Sequence, residues 1–582
     1  MTHRFVEYLN SMNNVDGNST GALAEKQVIN KFYNKIHVKR KLGSFIKRSI
    51  ECGENKIFFI TGHAGDGKTS ILAQILKELD LVVDKKLKEV ELVENDKYKV
   101  FYIKDMSELE EHRQEELIKR ALSIPDENGT SIVISNTGPL INTIKKINPD
   151  LESEVIEQLD NNEGKEIKVE GKLVTIINLA RIDNVDFIDE ILDKLIDDEL
   201  WKGCESCGKD SICHISFNRK LIREYKPRIT KFIKSYYRWL YENDQRLTIR
   251  QMVAHLTYMI TANKCCEQLS KNLKRTSNYK YVYNLANNLF GYRGITDELN
   301  TNQIEAINKI KKLRLDRISL DEDYQLFVRN DYSFLPDEIA EMVNSRWTQY
   351  EKECRKVDEK GTKFNRDKAI EIRKCIRRYF IVFGYYEDEL KSNKVMDQIF
   401  GETFTLYKKC ILEPKTRDGI RRIKDIVFDG LRKLNFDGSN EDDKDKLYLT
   451  LKRHDGSYQS VMLITGEIEK RDLQVGSRNI KTSFDDIECK NELYLTKKRD
   501  DGKEYKLNYQ IIEYFNSILE GAVETKASPT ITCGIAKLDS WLNNNFKDID
   551  DDGCDKLELL IKTTSGIKTT RLEIYNGKIY ID

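Results

Sequence analysis

The segment Ile57-Phe58-Phe59-Ile60-Thr61-Gly62-His63-Ala64-Gly65-Asp66-Gly67-Lys68-Thr69-Ser70-Ile71-Leu72 constrains this chain more than any other. Five β-branched or aromatic residues run up to Gly62, and apolar side chains recur at helical spacing over 68–79. A glycine-rich turn therefore joins a predicted buried strand over 57–61 to a predicted helix. Gly62, Gly67, Lys68 and Thr69 satisfy G-x-x-x-x-G-K-[ST] in full. Glycines let the backbone curl so that successive N–H groups face phosphate oxygens, and the helix presents its positive end to the same anion. In such a loop Lys68 reaches the β- and γ-phosphates, the Thr69 hydroxyl ligates Mg²⁺, and Gly65 and Ser70 complete the cradle. The reading is a nucleotide-binding P-loop that takes ATP and Mg²⁺.

A parallel-sheet core needs further strands ending near the phosphates. Residues 99–105, 130–136 and 173–181 supply three, so an α/β P-loop NTPase core of ASCE/AAA+-like type is expected over 51–200. Asp105, at a strand end, is the candidate second Mg²⁺ holder; the alternative is a cap on the following helix, a role Ser107 fills equally well. Glu108 is a candidate for polarising the attacking water, or an ordinary first-turn acid. Asn136 suits a sensor of the γ-phosphate, or a turn position. Thr248 reads as the N-cap of an amphipathic helix in a helical lid, which places Arg250 in the first turn. Arg250 either senses the γ-phosphate or faces solvent.

The 582 residues suit roughly three to five domains. The remaining expected divisions are a helical segment over 1–50, a cysteine cluster and lid over 201–290, a helical middle over 291–435 and a β-rich (α+β) domain over 436–582. Lysine plus arginine (97) equal aspartate plus glutamate (97), so no global field draws the chain to nucleic acid or a membrane surface. No apolar run nears the roughly eighteen residues of a membrane span, and the start MTHRFVEYLNSMNNVDGNST lacks a signal peptide's apolar core. A cytoplasmic protein with reduced thiols is expected.

Cys204, Cys207 and Cys213 lie close together, with zinc-knuckle spacing in the first pair. They are ligands of a structural zinc, the fourth coming from His214, Cys52, Cys265 or Cys266, or reduced structural thiols, or groups for redox or iron–sulfur chemistry. The segment 365–386 sets Arg373, Lys374, Arg377 and Arg378 beside aromatic residues, with Arg366 and Lys368 just before them. Either it touches nucleic acid or it is a charged helix face over an aromatic core. Beyond 436, short alternating strands are separated by turn signals such as HDG at 454–456 and RDDGK at 499–503, with a helix near 509–520.

The ordered set GHAGDGKTS, N-x-G at 136–138, NLAR at 178–181, W-x-x-C-x-x-C-x-x-x-x-x-C at 201–213, Asn218 and RLTIR at 246–250 resembles ATPases of bacterial anti-phage and DNA-modification-dependent restriction operons. It is similar to the DptF-like family of phosphorothioation-dependent restriction, over roughly residues 25–265. The resemblance implies an oligomeric ATP-hydrolysing subunit that works with other subunits of a defence system against foreign DNA, with DNA itself a second candidate partner. The alternatives are a STAND-like switch that signals by oligomerisation and a nucleotide-stabilised scaffold.

Overall fold

Strand β1 (Ile57–Thr61) is buried along its whole length, as an apolar run covered on both faces must be. It belongs to a computed structural model that describes residues 3–13, 31–81, 87–161, 166–204, 206–209, 211–271, 279–315, 317–355, 366–413, 416–435, 444–451, 459–479, 491–498, 504–522, 527–547, 555–563, 566–575 and 578–581. The turn signals at 454–456 and 499–503 lie outside these residues. The chain divides into two compact units, one of 1–399 with 481–488 and one of 400–480 with 489–582.

The first unit is built on a six-stranded sheet. Its strands are β1, β2 (Val90–Glu94), β3 (Lys99–Ile103), β4 (Thr130–Ser135), β5 (Glu166–Val169) and β6 (Lys172–Asn178), in the order β2-β3-β4-β1-β6-β5. The four inner strands are parallel, with Thr61 opposite both Ser135 and Asn178. Both edge strands are antiparallel, so the sheet is mixed and not the all-parallel one expected. The physical reason is local. β5 and β6 are joined through Glu170 and Gly171, both at positive φ (47° and 78°), the geometry of a tight hairpin. At the other edge the Asn95 side chain accepts the N–H groups of Lys97 and Tyr98 and closes the β2–β3 turn.

Alternation along β1 sorts its side chains to two faces. Phe58 and Ile60 pack with Leu42 and Ile46 of helix α1 (Lys41–Glu51) and with Ile71 and Ile75 of α2 (Lys68–Glu78). Ile57 and Phe59 pack on the opposite side, with Ile118 and Leu122 of α3 (Glu111–Ser123) and Ile144 of α4 (Thr137–Ile147). Each such side chain, fully buried, contributes about 1.5–3 kcal/mol. Helices on both faces leave the C-terminal ends of β1, β3, β4 and β6 open along one edge, where ligands of such sheets collect.

After the sheet come α5 (His214–Glu242) and α6 (Ile249–Thr261). Tyr225 leaves helical geometry (φ −119°) two residues before Pro227, which bends α5 there. Arg228, just beyond the bend, is buried and donates to the carbonyls of Ile381 (2.7 Å) and Gly384 (2.8 Å), the end of helix α7 (Arg366–Phe383).

The second unit holds a five-stranded antiparallel sheet and a three-stranded one. With them run helices over Glu402–Leu412, Arg417–Asn435, Tyr509–Leu519 and Pro529–Phe546. The last was not expected. Ser528 caps it by accepting the Ile531 N–H and Pro529 opens it, a start signal masked by the β-branched residues that follow.

Candidate functional site

The glycine-rich loop turns from β1 into α2 through Gly67, which sits at φ 87°, a left-handed conformation that strains any residue with a side chain. Lys68 then folds back over the loop. Its ammonium donates to the Gly62 carbonyl at 2.6 Å, the His63 carbonyl at 3.3 Å and the Asn136 side-chain oxygen at 3.2 Å. Burial pushes the Lys68 pKa below its ordinary value; Asp105 and Asp66 push it back up, and Arg250 adds to the lowering. Three groups distant in sequence, Asp105, Asn136 and Arg250, thus act on one ammonium.

Asn136 reaches Lys68 because β4, which it follows, is the parallel neighbour of β1. Its backbone N–H donates to Ser107 Oγ at 2.7 Å, and the Ser107 N–H donates to Asp105 Oδ1 at 3.0 Å. Asp105 therefore does cap the short turn Met106–Glu108, and it also lines the same cavity as Lys68. Capping uses one carboxylate oxygen and leaves the other to point elsewhere. Glu108 lies on the cavity rim and is exposed.

The cavity holds about 320 Å³, in the range of small-ligand sites. Gly65, Gly67, Lys68, Thr69, Ser70, Asp105, Glu108 and Arg250 all border it, so the structure brings these sequence-chosen residues together. Arg250 lies in the first turn of α6, half-buried, behind an N-cap in which Thr248 accepts the Gln251 N–H while the Gln251 side chain accepts that of Thr248. Gly62 and Asn136 reach the site through Lys68.

Sequence reasoning missed the apolar part of the lining. Tyr8 and Met12 of the N-terminal helix Arg4–Met12, Tyr33, Ile36 and Val38 beyond it, and Ile249 and Val253 of α6 give the cavity an apolar and aromatic lining. The Tyr33 hydroxyl donates to Ser70 Oγ at 2.9 Å, tying this wall to the glycine-rich loop. His37 also lines it, and burial, with Lys194 beside it, lowers its pKa to about 4, so the ring is neutral. Only the run of apolar residues at 5–12 hinted at a packed helix there, and nothing in it separates a ligand wall from core.

No protein-family model matches this chain, and no curated protein or solved structure matches it either.

Other candidates fare differently. His214 is fully buried, with its Nε2 at 3.0 Å from the Thr261 carbonyl. Burial raises the Cys204 pKa to about 12 and that of Cys213 to about 11. Cys204 interacts electrostatically with Cys266, Cys213 and Cys207; among the described residues no group of three His, Cys, Asp or Glu side chains that could hold a metal ion is found. In the basic segment, Arg373 pairs with Glu351, Lys374 with Glu371 and Arg377 with Asp323. Arg378 is buried, donates to the Gly294 carbonyl at 2.7 Å and lies 3.8 Å from the centroid of the Tyr292 ring. Three of these four are engaged in ion pairs and the fourth is enclosed; the Arg366 side chain lies outside the described residues. Among the described residues no helix is long and apolar enough to cross a membrane.

Proposed function

We propose that the first unit binds a nucleoside triphosphate with Mg²⁺ and hydrolyses it, as the ATPase subunit of a multi-protein anti-phage or restriction system. The observation that carries the chemical part is that Lys68, held by Asn136, borders with Asp105 one cavity edged by a left-handed glycine loop and a helix N-terminus. Thr69 and Asp105 border the same cavity and are the pair suited to hold Mg²⁺, which when bound neutralises charge on the β- and γ-phosphates. Lys68 leaves its carbonyl partners for phosphate oxygens, Asn136 orients the attacking water, and Arg250 meets charge that develops as the bond to the leaving oxygen lengthens. The apolar wall of Tyr8, Met12, Tyr33, Ile249 and Val253 takes the base and excludes water from the chemistry.

The defence role, the partner subunits, oligomer formation and action on DNA rest on the ordered motifs that resemble the DptF-like family. The strapping of α6 to the loop also suits the second reading, a switch whose lid reports the nucleotide, because Arg250 N–H donates to the Gly65 carbonyl at 3.2 Å.

ATP turnover by the full chain and by Lys68→Ala, with and without duplex DNA, tests the proposal. Turnover that DNA stimulates and the substitution abolishes supports it. Nucleotide binding without turnover favours the switch, and no nucleotide binding overturns both.

A further inference from the structure

A carboxylate sits inside the phosphate-binding loop, where like charge opposes a phosphate. Asp66 is 1% exposed. Its Oδ2 accepts the His63 N–H at 2.8 Å, which shapes the loop, and its Oδ1 accepts Arg246 Nη1 at 2.8 Å. Arg246 is itself nearly enclosed and is held at two further points, with Nε on the Ile182 carbonyl and Nη2 on the Leu179 carbonyl, each at 2.8 Å. Those carbonyls lie just past β6, so the guanidinium is anchored to the sheet and presents one arm to the loop. Two residues on, Thr248 crowds the loop from the same side: a Cβ at Gly65 (φ 95°) would lie 2.9 Å from Thr248 Oγ1.

We infer that Arg246 is a positioning residue for the triphosphate: it neutralises Asp66 and holds the loop so that a polyanion is accepted despite the buried carboxylate. The inference rests on the nucleotide reading above. Arg246 touches no phosphate in this role; it acts through Asp66 and the His63 amide. Removing it leaves a buried charge without its partner, between the cavity-lining Gly65 and Gly67 and within electrostatic reach of Lys68, and the penalty grows with the anion's charge. A brace that only held the fold together would weaken all nucleotides alike.

The test is calorimetric titration of ATP, ADP and AMP into the full chain, Arg246→Gln, Asp66→Asn and the double variant, each checked by circular dichroism. Arg246→Gln is expected to weaken ATP about tenfold or more, ADP less and AMP least. Asp66→Asn, which keeps an acceptor for the His63 N–H, is expected to bind ATP at least as tightly as the parent. The double variant is expected to return to within about threefold of Asp66→Asn. Equal loss for all three nucleotides without rescue, or no loss, overturns the inference while the parent still binds. If Arg246→Gln does not fold, weakened ATP binding by Asp66→Asn overturns it instead. A parent that binds none of the three overturns the nucleotide reading itself.

Discussion

Lys68 and Asn136 lie 68 positions apart in the chain, yet the lysine ammonium donates to the asparagine side-chain oxygen across 3.2 Å. Adjacent parallel strands produce this meeting: Thr61 lies opposite Ser135, the glycine-rich loop follows the one and Asn136, the N-cap of α4, follows the other. A cation and a neutral polar group held together before an anion arrives cost little to reorganise when it does.

The two residues should separate kinetically. Lys68→Ala is expected to abolish measurable nucleotide binding. Asn136→Ala is expected to leave Kd within a few-fold and to lower kcat about 100-fold, since its contact matters most as the water attacks. Equilibrium binding beside single-turnover hydrolysis distinguishes them, and an Asn136→Ala loss confined to Kd would remove the water-orienting role.

Val253→Trp places an indole in the apolar lining of the cavity. The expected outcome is a loss of ATP affinity of about tenfold or more with the melting temperature nearly unchanged, because the indole has a cavity to enter. Unaltered affinity would move the base elsewhere.

Arg228→Met strips the Ile381 and Gly384 carbonyls of a buried charged donor. Burial lowers the Arg228 pKa to about 9, so the group is expensive to keep, but two orphaned carbonyls are costlier still. A destabilisation of about 2–4 kcal/mol is expected in urea titration, without change in nucleotide affinity.

His214 and His255 are fully buried, and burial lowers the pKa of each from 6.5 to about 4. The unfolded chain takes up these protons below about 6.5 while the folded chain refuses them until about 4. Their contribution to stability is therefore complete above 6.5 and falls by about 1.4 kcal/mol per pH unit for each ring on acidification through that window. Melting temperatures from pH 7 to 5 should drop less steeply for His255→Gln than for the parent; parallel profiles would exclude His255 as a source.

The loop was legible because its chemistry is local: Gly67, Lys68 and Thr69 declare themselves by spacing. Asp105 and Asn136 were legible as polar tips on apolar strands, one step less direct. The apolar wall was not, because Tyr8, Tyr33 and Val253 reach the cavity from separate helices and read as ordinary core. Arg246 was hidden for a different reason. Arg246 stands in the RLTIR stretch with no signal of what it touches, and only the folded chain shows that all three kinds of guanidinium nitrogen have acceptors. The edge hairpin at Glu170-Gly171 was passed over within a charged stretch, although a glycine there is what such a turn requires.

Behind the site, two asparagines grip backbone and not side chains. The Asn218 amide donates to the carbonyls of Ile260 (3.0 Å) and Tyr283 (2.9 Å), and that of Asn288 to those of Met259 (3.0 Å) and Tyr283 (2.9 Å). Neighbouring side chains are free to change in size, but α5 cannot slip along α6 without breaking these bonds in fully buried surroundings. The last turn of α6 and the Tyr283 backbone are thus registered against each other through shared buried donors, a tie that is independent of side-chain size at the surrounding positions.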